Sequence, residues 1–233
     1  MKSGKTHITF LLDRSGSMRS TADDAVGGFN TLLENQKKLP GECTVSVIQF
    51  DHEYRKDYHM TPIAEIMPLT DKTFVPRGST AYVDALARSI TELGETLEAM
   101  PEEERPEIVI FAVITDGMEN SSQTYRGPDG RAKVRQMIEH QREVYKWQFA
   151  FMGSDEGALE HAEEMAIPMS GRLTYANSGG GVAMSMASLD AGIERARGLR
   201  GPGGQSVGMS FTNEDRKKQR EEIERLMKEK GEK

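Results

Sequence analysis

Asp13, Ser15 and Ser17, in the run Asp13-Arg14-Ser15-Gly16-Ser17-Met18, place one carboxylate and two hydroxyls directly behind the apolar stretch Ile8-Thr9-Phe10-Leu11-Leu12. A buried strand that breaks into a loop presents such oxygens on one rim of a sheet. The donors are hard and oxygen-only, with no His or Cys among them, so they suit Mg²⁺ or Mn²⁺ rather than zinc. Two more oxygen clusters follow, Gly78-Ser79-Thr80 and Thr115-Asp116-Gly117. A set of this kind can hold a metal and still offer it to a carboxylate from outside. No nucleophile–base pair accompanies it, which favours a binding module over an enzyme.

The elements that must position these residues alternate between strand and helix patterns. Thr6 to Leu12 reads as a buried strand, and Asp23 or Asp24 caps a helix running to about Lys38, closed by Pro40-Gly41. Glu42 to Phe50 reads as a strand, and Glu53 to Met60 as an edge strand behind a hairpin at Asp51-His52. Leu86, Ile90, Leu93, Leu97 and Met100 recur at steps of four and three, an amphipathic helix that Pro101 ends. Ile108 to Ile114 is a continuous apolar run and the most buried strand. Arg131 to Tyr145 is expected as a helix and Trp147 to Met152 as a strand. Glu156 to Ala166 should form a short helix, Leu173 to Ala176 a weak strand, and Val182 to Ala196 a helix. The alternation predicts an α/β fold: a three-layer α/β/α, doubly wound, mostly parallel sheet with one antiparallel edge strand. Ligands of such sheets bind beyond the carboxyl ends of the strands, where Asp13 and Asp116 both fall.

Residues 1–198 read as one domain, 199–212 as a Gly-rich flexible connector, and 213–233 as a charged, solvated helix with Ile223, Leu226 and Met227 as its apolar stripe. At 233 residues and net charge −7 the chain gives no reason to expect a nucleic-acid footprint. Cys43 is the single cysteine; it excludes an internal disulfide and a cysteine metal cluster, fits a reducing compartment, and reads as a small buried hydrophobe. The N-terminal apolar run is too short for a signal peptide, and no stretch reaches the ~18 apolar residues of a membrane span, so a cytoplasmic protein is expected.

Asp-x-Ser-x-Ser followed by Gly-Ser-Thr and Thr-Asp-Gly, in that order and on those elements, resembles the von Willebrand factor A (vWA) family with its metal-ion-dependent adhesion site (MIDAS). The likeness runs over residues 6 to about 198. It implies that Ser15, Ser17 and Thr80 ligate Mg²⁺ through their hydroxyls, with Mn²⁺ or Ca²⁺ as substitutes. Asp13 and Asp116 would act mostly through water or as outer acceptors. Neutral hydroxyl ligands leave the ion's charge poorly quenched, so an Asp or Glu of a partner protein would complete the coordination. The chain resembles intracellular vWA proteins of bacteria and their viruses, some of which work with AAA+ ATPases or larger assemblies; that names a partner class by analogy only.

Each residue also has a plainer role open to it. Asp13, Ser15, Ser17 and Thr80 are common helix caps, and Asp116-Gly117 is a common turn. Asp84 sits where caps and dipole partners are frequent, Glu119, Asn120 and Ser121 are rim candidates, and Asp155 is a cap or rim candidate. The five His residues have no ligand spacing and read as surface or packing groups. Gly179-Gly180-Gly181 lacks the rest of a phosphate-loop pattern. Three functions compete: a metal-dependent protein-binding module, an assembly protein that self-associates through its surface and terminal helix as a homo-oligomer, and a phosphatase-like enzyme with Asp13 as nucleophile.

Overall fold

The computed structural model describes residues 2–117, 119–154, 156–198, 208–229 and 231. In chain order the elements are β1 (Lys2–Asp13), α1 (Ala22–Lys38), β2 (Cys43–Phe50), β3 (Tyr54–Pro62), α2 (Tyr82–Ala99), β4 (Pro106–Thr115), α3 (Gly127–Tyr145), β5 (Gln148–Gly153), α4 (Glu156–Glu164), β6 (Arg172–Thr174), α5 (Gly179–Gly198) and α6 (Asn213–Glu229). The strands form one sheet in the order β3-β2-β1-β4-β5-β6. Every neighbouring pair is parallel except β2 with β3, which is antiparallel at the edge. The expected fold class is the one observed.

Burial on both faces explains the uninterrupted apolar run of β4. Ile110, Ala112 and Ile114 enter one core with Phe29 of α1 and Leu189 of α5, while Val109, Phe111 and Val113 enter the other with Leu86 and Ile90 of α2 and Ile138 of α3. Successive strand residues point to opposite faces, so a strand covered on both sides must be apolar at every position. Phe111 is the centre of the second core, stacked at 5.4 Å on Trp147 and 5.3 Å on Phe149. Cys43 is buried as expected, and burial pushes its thiol up to about 11.

The sheet reverses its direction of winding at β1, which lies between β2 and β4. Asp13 ends β1 in register with Phe50 of β2, and Leu12 pairs with Ile114 one residue before Thr115. Asp13, Asp51 and Asp116 therefore emerge side by side from three adjacent strands.

Some elements depart from expectation. A 3-10 turn, Gly16–Thr21, stands between the first loop and α1, so Thr21 rather than Asp23 or Asp24 is the N-cap. α3 starts four residues earlier than its apolar pattern, because Gly127 turns the chain at φ +68 and Pro128 occupies the first turn. α6 is neither free nor held by its apolar stripe. Its buried residue is Gln219, whose Oε1 accepts the Ala176 amide at 3.0 Å and whose Nε2 donates to Gly181 O at 3.0 Å, while Met227 is exposed. In the expected connector, 199–207 lie outside the described residues, and Met209 and Phe211 are anchored in the core. Asp155 also lies outside the described residues.

His7 is a packing group, fully buried. Its ring meets Thr44 Oγ1 at 2.9 Å, Thr9 Oγ1 at 3.1 Å and Ser46 Oγ at 3.3 Å. Burial first, then the nearby His59 and Lys5 charges, hold its pKa down at about 3. The native imidazole stays neutral while the unfolded one gains a proton below its ordinary value, so stability falls as the pH drops from about 6.5 toward 3. Urea unfolding at pH 5 and pH 7 should show this contribution, ~2 kcal/mol, in the wild type and not in His7→Gln. Equal pH slopes in the two proteins would remove His7 as the cause.

Candidate metal centre

β1 delivers Asp13 into a buried position, 1% exposed, where two bonds fix its carboxylate. Oδ1 accepts the Ser15 amide at 2.6 Å, and Oδ2 accepts the Thr115 hydroxyl at 2.6 Å. The first bond turns the chain tightly after the strand, which brings Ser15 Oγ within 3.0 Å of Ser17 Oγ. Ser17 then donates to Asp116 Oδ1 at 2.6 Å, closing a ring of oxygens across β1 and β4. Thr80 joins from the third loop: a β-carbon built on Gly117 would lie 3.4 Å from Ser17 Oγ and 3.6 Å from Thr80 Oγ1. Glycine at 117 thus leaves the space that these two hydroxyls border. All five residues singled out from the sequence converge, and only Ser17 among them is exposed.

The loop carrying Thr80 is tied to the Asp13 loop by a group that sequence spacing does not reveal. Asp51, fully buried, accepts Arg77 Nε at 3.0 Å on Oδ2 and the Glu53 amide at 2.6 Å on Oδ1. The same Oδ2 pairs with the Arg14 guanidinium, whose Nε lies 3.2 Å away as an ion pair without a hydrogen bond. Arg77 also pairs with Glu53. Backbone bonds complete the tie, Arg77 N to Arg14 O at 2.8 Å, Gly16 N to Gly78 O at 3.0 Å and Ala81 N to Asp51 O at 2.9 Å. Arg14, the variable position within Asp-x-Ser-x-Ser, is therefore a clamp, only 4% exposed.

Gly78 holds φ +67, and a β-carbon there would collide with the His52 ring. Gly78→Ala should displace the Thr80 loop and weaken Mg²⁺ affinity by ~1–2 kcal/mol; removing the collision in a His52→Ala background restores only part of it, since the backbone strain remains. Calorimetric titration of both variants checks this, and unchanged affinity in Gly78→Ala would contradict it.

The rim candidates turn out to brace the loop. Glu119 accepts the amides of Val83, Ser121 and Ser122 at 3.0, 2.9 and 2.7 Å, capping the start of α2. Asp84 accepts the amides of Gln123, Thr124 and Tyr125. Asn120 Oδ1 accepts the Thr80 amide at 2.9 Å, and the Asn120 and Ser121 amides both donate to Thr80 O at 3.0 Å. Beneath the site Tyr175 donates to Thr115 O at 2.8 Å, and Ser154 donates to Asp116 O.

Electrostatics sets what this ring accepts. Burial, with a smaller push from Asp116, raises the Asp13 carboxyl to about 6 against the bonds from Thr115 and Ser15. The same burial and both carboxylates hold the Tyr175 phenol far above its ordinary range. Two buried carboxylates beside three hydroxyls form a set whose charge a small hard dication would relieve, so the donors fit Mg²⁺. Among the described residues no group of three or more His, Cys, Asp or Glu converges, so the hydroxyls supply a share of any ligand set.

Residues 8–119, which contain all five of these positions, match the family model described as von Willebrand factor type A domain. No curated protein matches the chain. Among solved structures it is similar to proximal thread matrix protein 1 of the mussel byssus, at 17% identity and TM-score 0.52, over 80% of this chain and 45% of that one. Another structure of the mussel protein, described as having a zinc-occupied MIDAS motif, gives 17% and 0.51 over the same shares. The vWF domain of the type V pili tip protein Mfa5 from Porphyromonas gingivalis is 10% identical with TM-score 0.58, over 84% of this chain and 97% of that one. The chain spans less than half the length of the mussel protein. Match and likeness together define a vWA fold, with the candidate centre at the carboxyl rim of its sheet.

Proposed function

We propose that this chain is a metal-dependent protein-binding module that engages an Asp or Glu of a partner through Asp13, Ser15, Ser17, Thr80 and Asp116. The observation that carries the reading is the closed ring of oxygens from the loops after β1 and β4, with Thr80 Oγ1 bordering the same space from a third loop, Ser17 open to solvent and Asp13 buried. Ser15, Ser17 and Thr80 would hold Mg²⁺ directly, and Asp13 and Asp116 would orient those hydroxyls and balance charge. A divalent ion held there supplies an open position for an outside carboxylate. The mussel structure described as having a zinc-occupied MIDAS motif supports a divalent ion at such a motif in this fold. Ca²⁺ and Mn²⁺ are the alternative ions.

Binding suits this geometry better than catalysis. Both Asp13 oxygens accept a hydrogen bond, from the Ser15 amide and the Thr115 hydroxyl, in a buried position, which makes the carboxylate a poor nucleophile toward a phosphoryl group. Among the described residues no helix is long and apolar enough to cross a membrane. Cytoplasmic partners such as an AAA+ ATPase, or a larger assembly, fit the single buried Cys43. Capture from the native source in Mg²⁺ and in EDTA tests the reading: partner recovery should require Mg²⁺, and equal recovery in both would count against it.

A further inference from the structure

We propose that the cavity between α4, β6 and α6 docks an extended acidic peptide segment of a partner protein, separately from the metal centre. The cavity measures about 500 Å³. Its apolar wall comes from Leu159 of α4, Ile223 of α6 and Met169, and Met169 is 73% exposed. These three side chains give the cavity an apolar lining beside its charged groups.

The backbone at its base is an incomplete sheet edge. Tyr175 donates to Gly153 O at 3.0 Å and Leu173 pairs with Met152, so the backbone groups of Leu173 and Tyr175 face β5. Arg172, Thr174 and Ala176 must then turn theirs outward, since N–H and C=O of one residue share a side. Arg172 O is capped by the Arg216 guanidinium at 3.1 Å, and the Ala176 amide by Gln219 at 3.0 Å. Between them the Thr174 N–H and C=O meet no partner among the described residues. A donor and an acceptor left open on a strand edge are what an extended peptide pairs with.

Charge fixes the kind of peptide. Arg172, Arg216 and Arg220 all line the cavity. Burial first, opposed by Asp215 and then aided by the positive charges of Arg172 and Arg220, holds Arg216 below its ordinary value. Arg216 is spent on backbone carbonyls and Arg172 on Glu163, yet Arg172 Nε is buried with no hydrogen bond. Arg220 has no ion pair among the described residues. Two guanidiniums with unused donors prefer a carboxylate. Glu160, on the opposite wall, repels that carboxylate and so gives the bound segment a direction.

The test is ¹⁵N NMR of the full chain in EDTA, which keeps the metal centre silent. The probes are acetyl-Val-Leu-Glu-Val-Thr-amide, its Gln analogue and inorganic phosphate. The Glu peptide should shift the Thr174 amide saturably, with the Gln analogue and the R220Q variant each binding about tenfold more weakly, one charge-assisted contact. Met169→Ser, at the exposed mouth, should weaken binding as well. An unmoved Thr174 amide, equal affinity of the Glu and Gln peptides, or phosphate matching the Glu peptide at that amide would overturn the proposal. Loss of metal binding elsewhere would leave this result untouched.

Discussion

Asp13→Asn should abolish the rise in melting temperature that Mg²⁺ gives the wild type, while leaving the metal-free protein more stable than the wild type. Both effects come from one buried carboxylate. Its folded-state pKa, about 6, lies above the ordinary value of 3.8, so at neutral pH the folded protein carries a charge that burial penalises. Removing that charge returns ~1–3 kcal/mol in EDTA. The gain is lost at low pH, because stability from a raised carboxyl is present below 3.8 and disappears as the pH rises through about 6. Mg²⁺ at a hundredfold over its Kd stabilises the wild type by ~2.7 kcal/mol, and Asp13→Asn forgoes that term. Thermal melts with EDTA and with Mg²⁺, at pH 4 and pH 7.5, contain the whole prediction. A destabilised variant that still responds to Mg²⁺ would be the reverse of it.

Asp51→Ala should be the most damaging single change near the site, costing ~3–5 kcal/mol. Asp51 is fully buried, and the Arg14 guanidinium beside it is 5% exposed, so its loss strands a buried positive charge and frees the Glu53 amide. The melting temperature should fall by ~10 °C. Mg²⁺ affinity should fall with it, because Asp51 and Arg77 hold the Thr80 loop against the Asp13 loop. Asp51→Asn, which keeps the shape and the amide acceptor, separates the two effects: it should retain more stability than Asp51→Ala yet still loosen Arg77. Calorimetric titration alongside the melts reads both. Wild-type affinity in a stably folded Asp51→Ala would show that the clamp does not position Thr80.

Sequence and structure agree where local pattern carries the information. β4 is legible because a strand buried on both faces has to be apolar throughout, and the helices between strands are legible from their apolar stripes. The candidate centre was legible because its residues sit at strand ends in loops, where oxygen donors stand out against apolar runs. Asp51 was not: beside His52 it reads as a hairpin turn, and its partners Arg14 and Arg77 lie far along the chain. Asp84 reads as a cap or dipole partner of its own helix and Glu119 as a rim acid, and only the fold brings the Tyr125 amide to the one and the Val83 amide to the other. Gln219 had no local signal, since a charged helix held by one buried amide looks like a solvated one. His7 was hidden for the same reason, its hydroxyl partners Thr44 and Ser46 belonging to the neighbouring strand. Buried polar groups satisfied from a distance leave no periodicity to read.

The most direct measurement is the anomalous signal of Mn²⁺ in crystals of this chain grown with manganese as the stand-in for magnesium. The account predicts one strong peak at ~2.1–2.3 Å from Ser15 Oγ, Ser17 Oγ and Thr80 Oγ1, with a water or an acidic oxygen opposite. No peak there, and only water between the three hydroxyls, would contradict it.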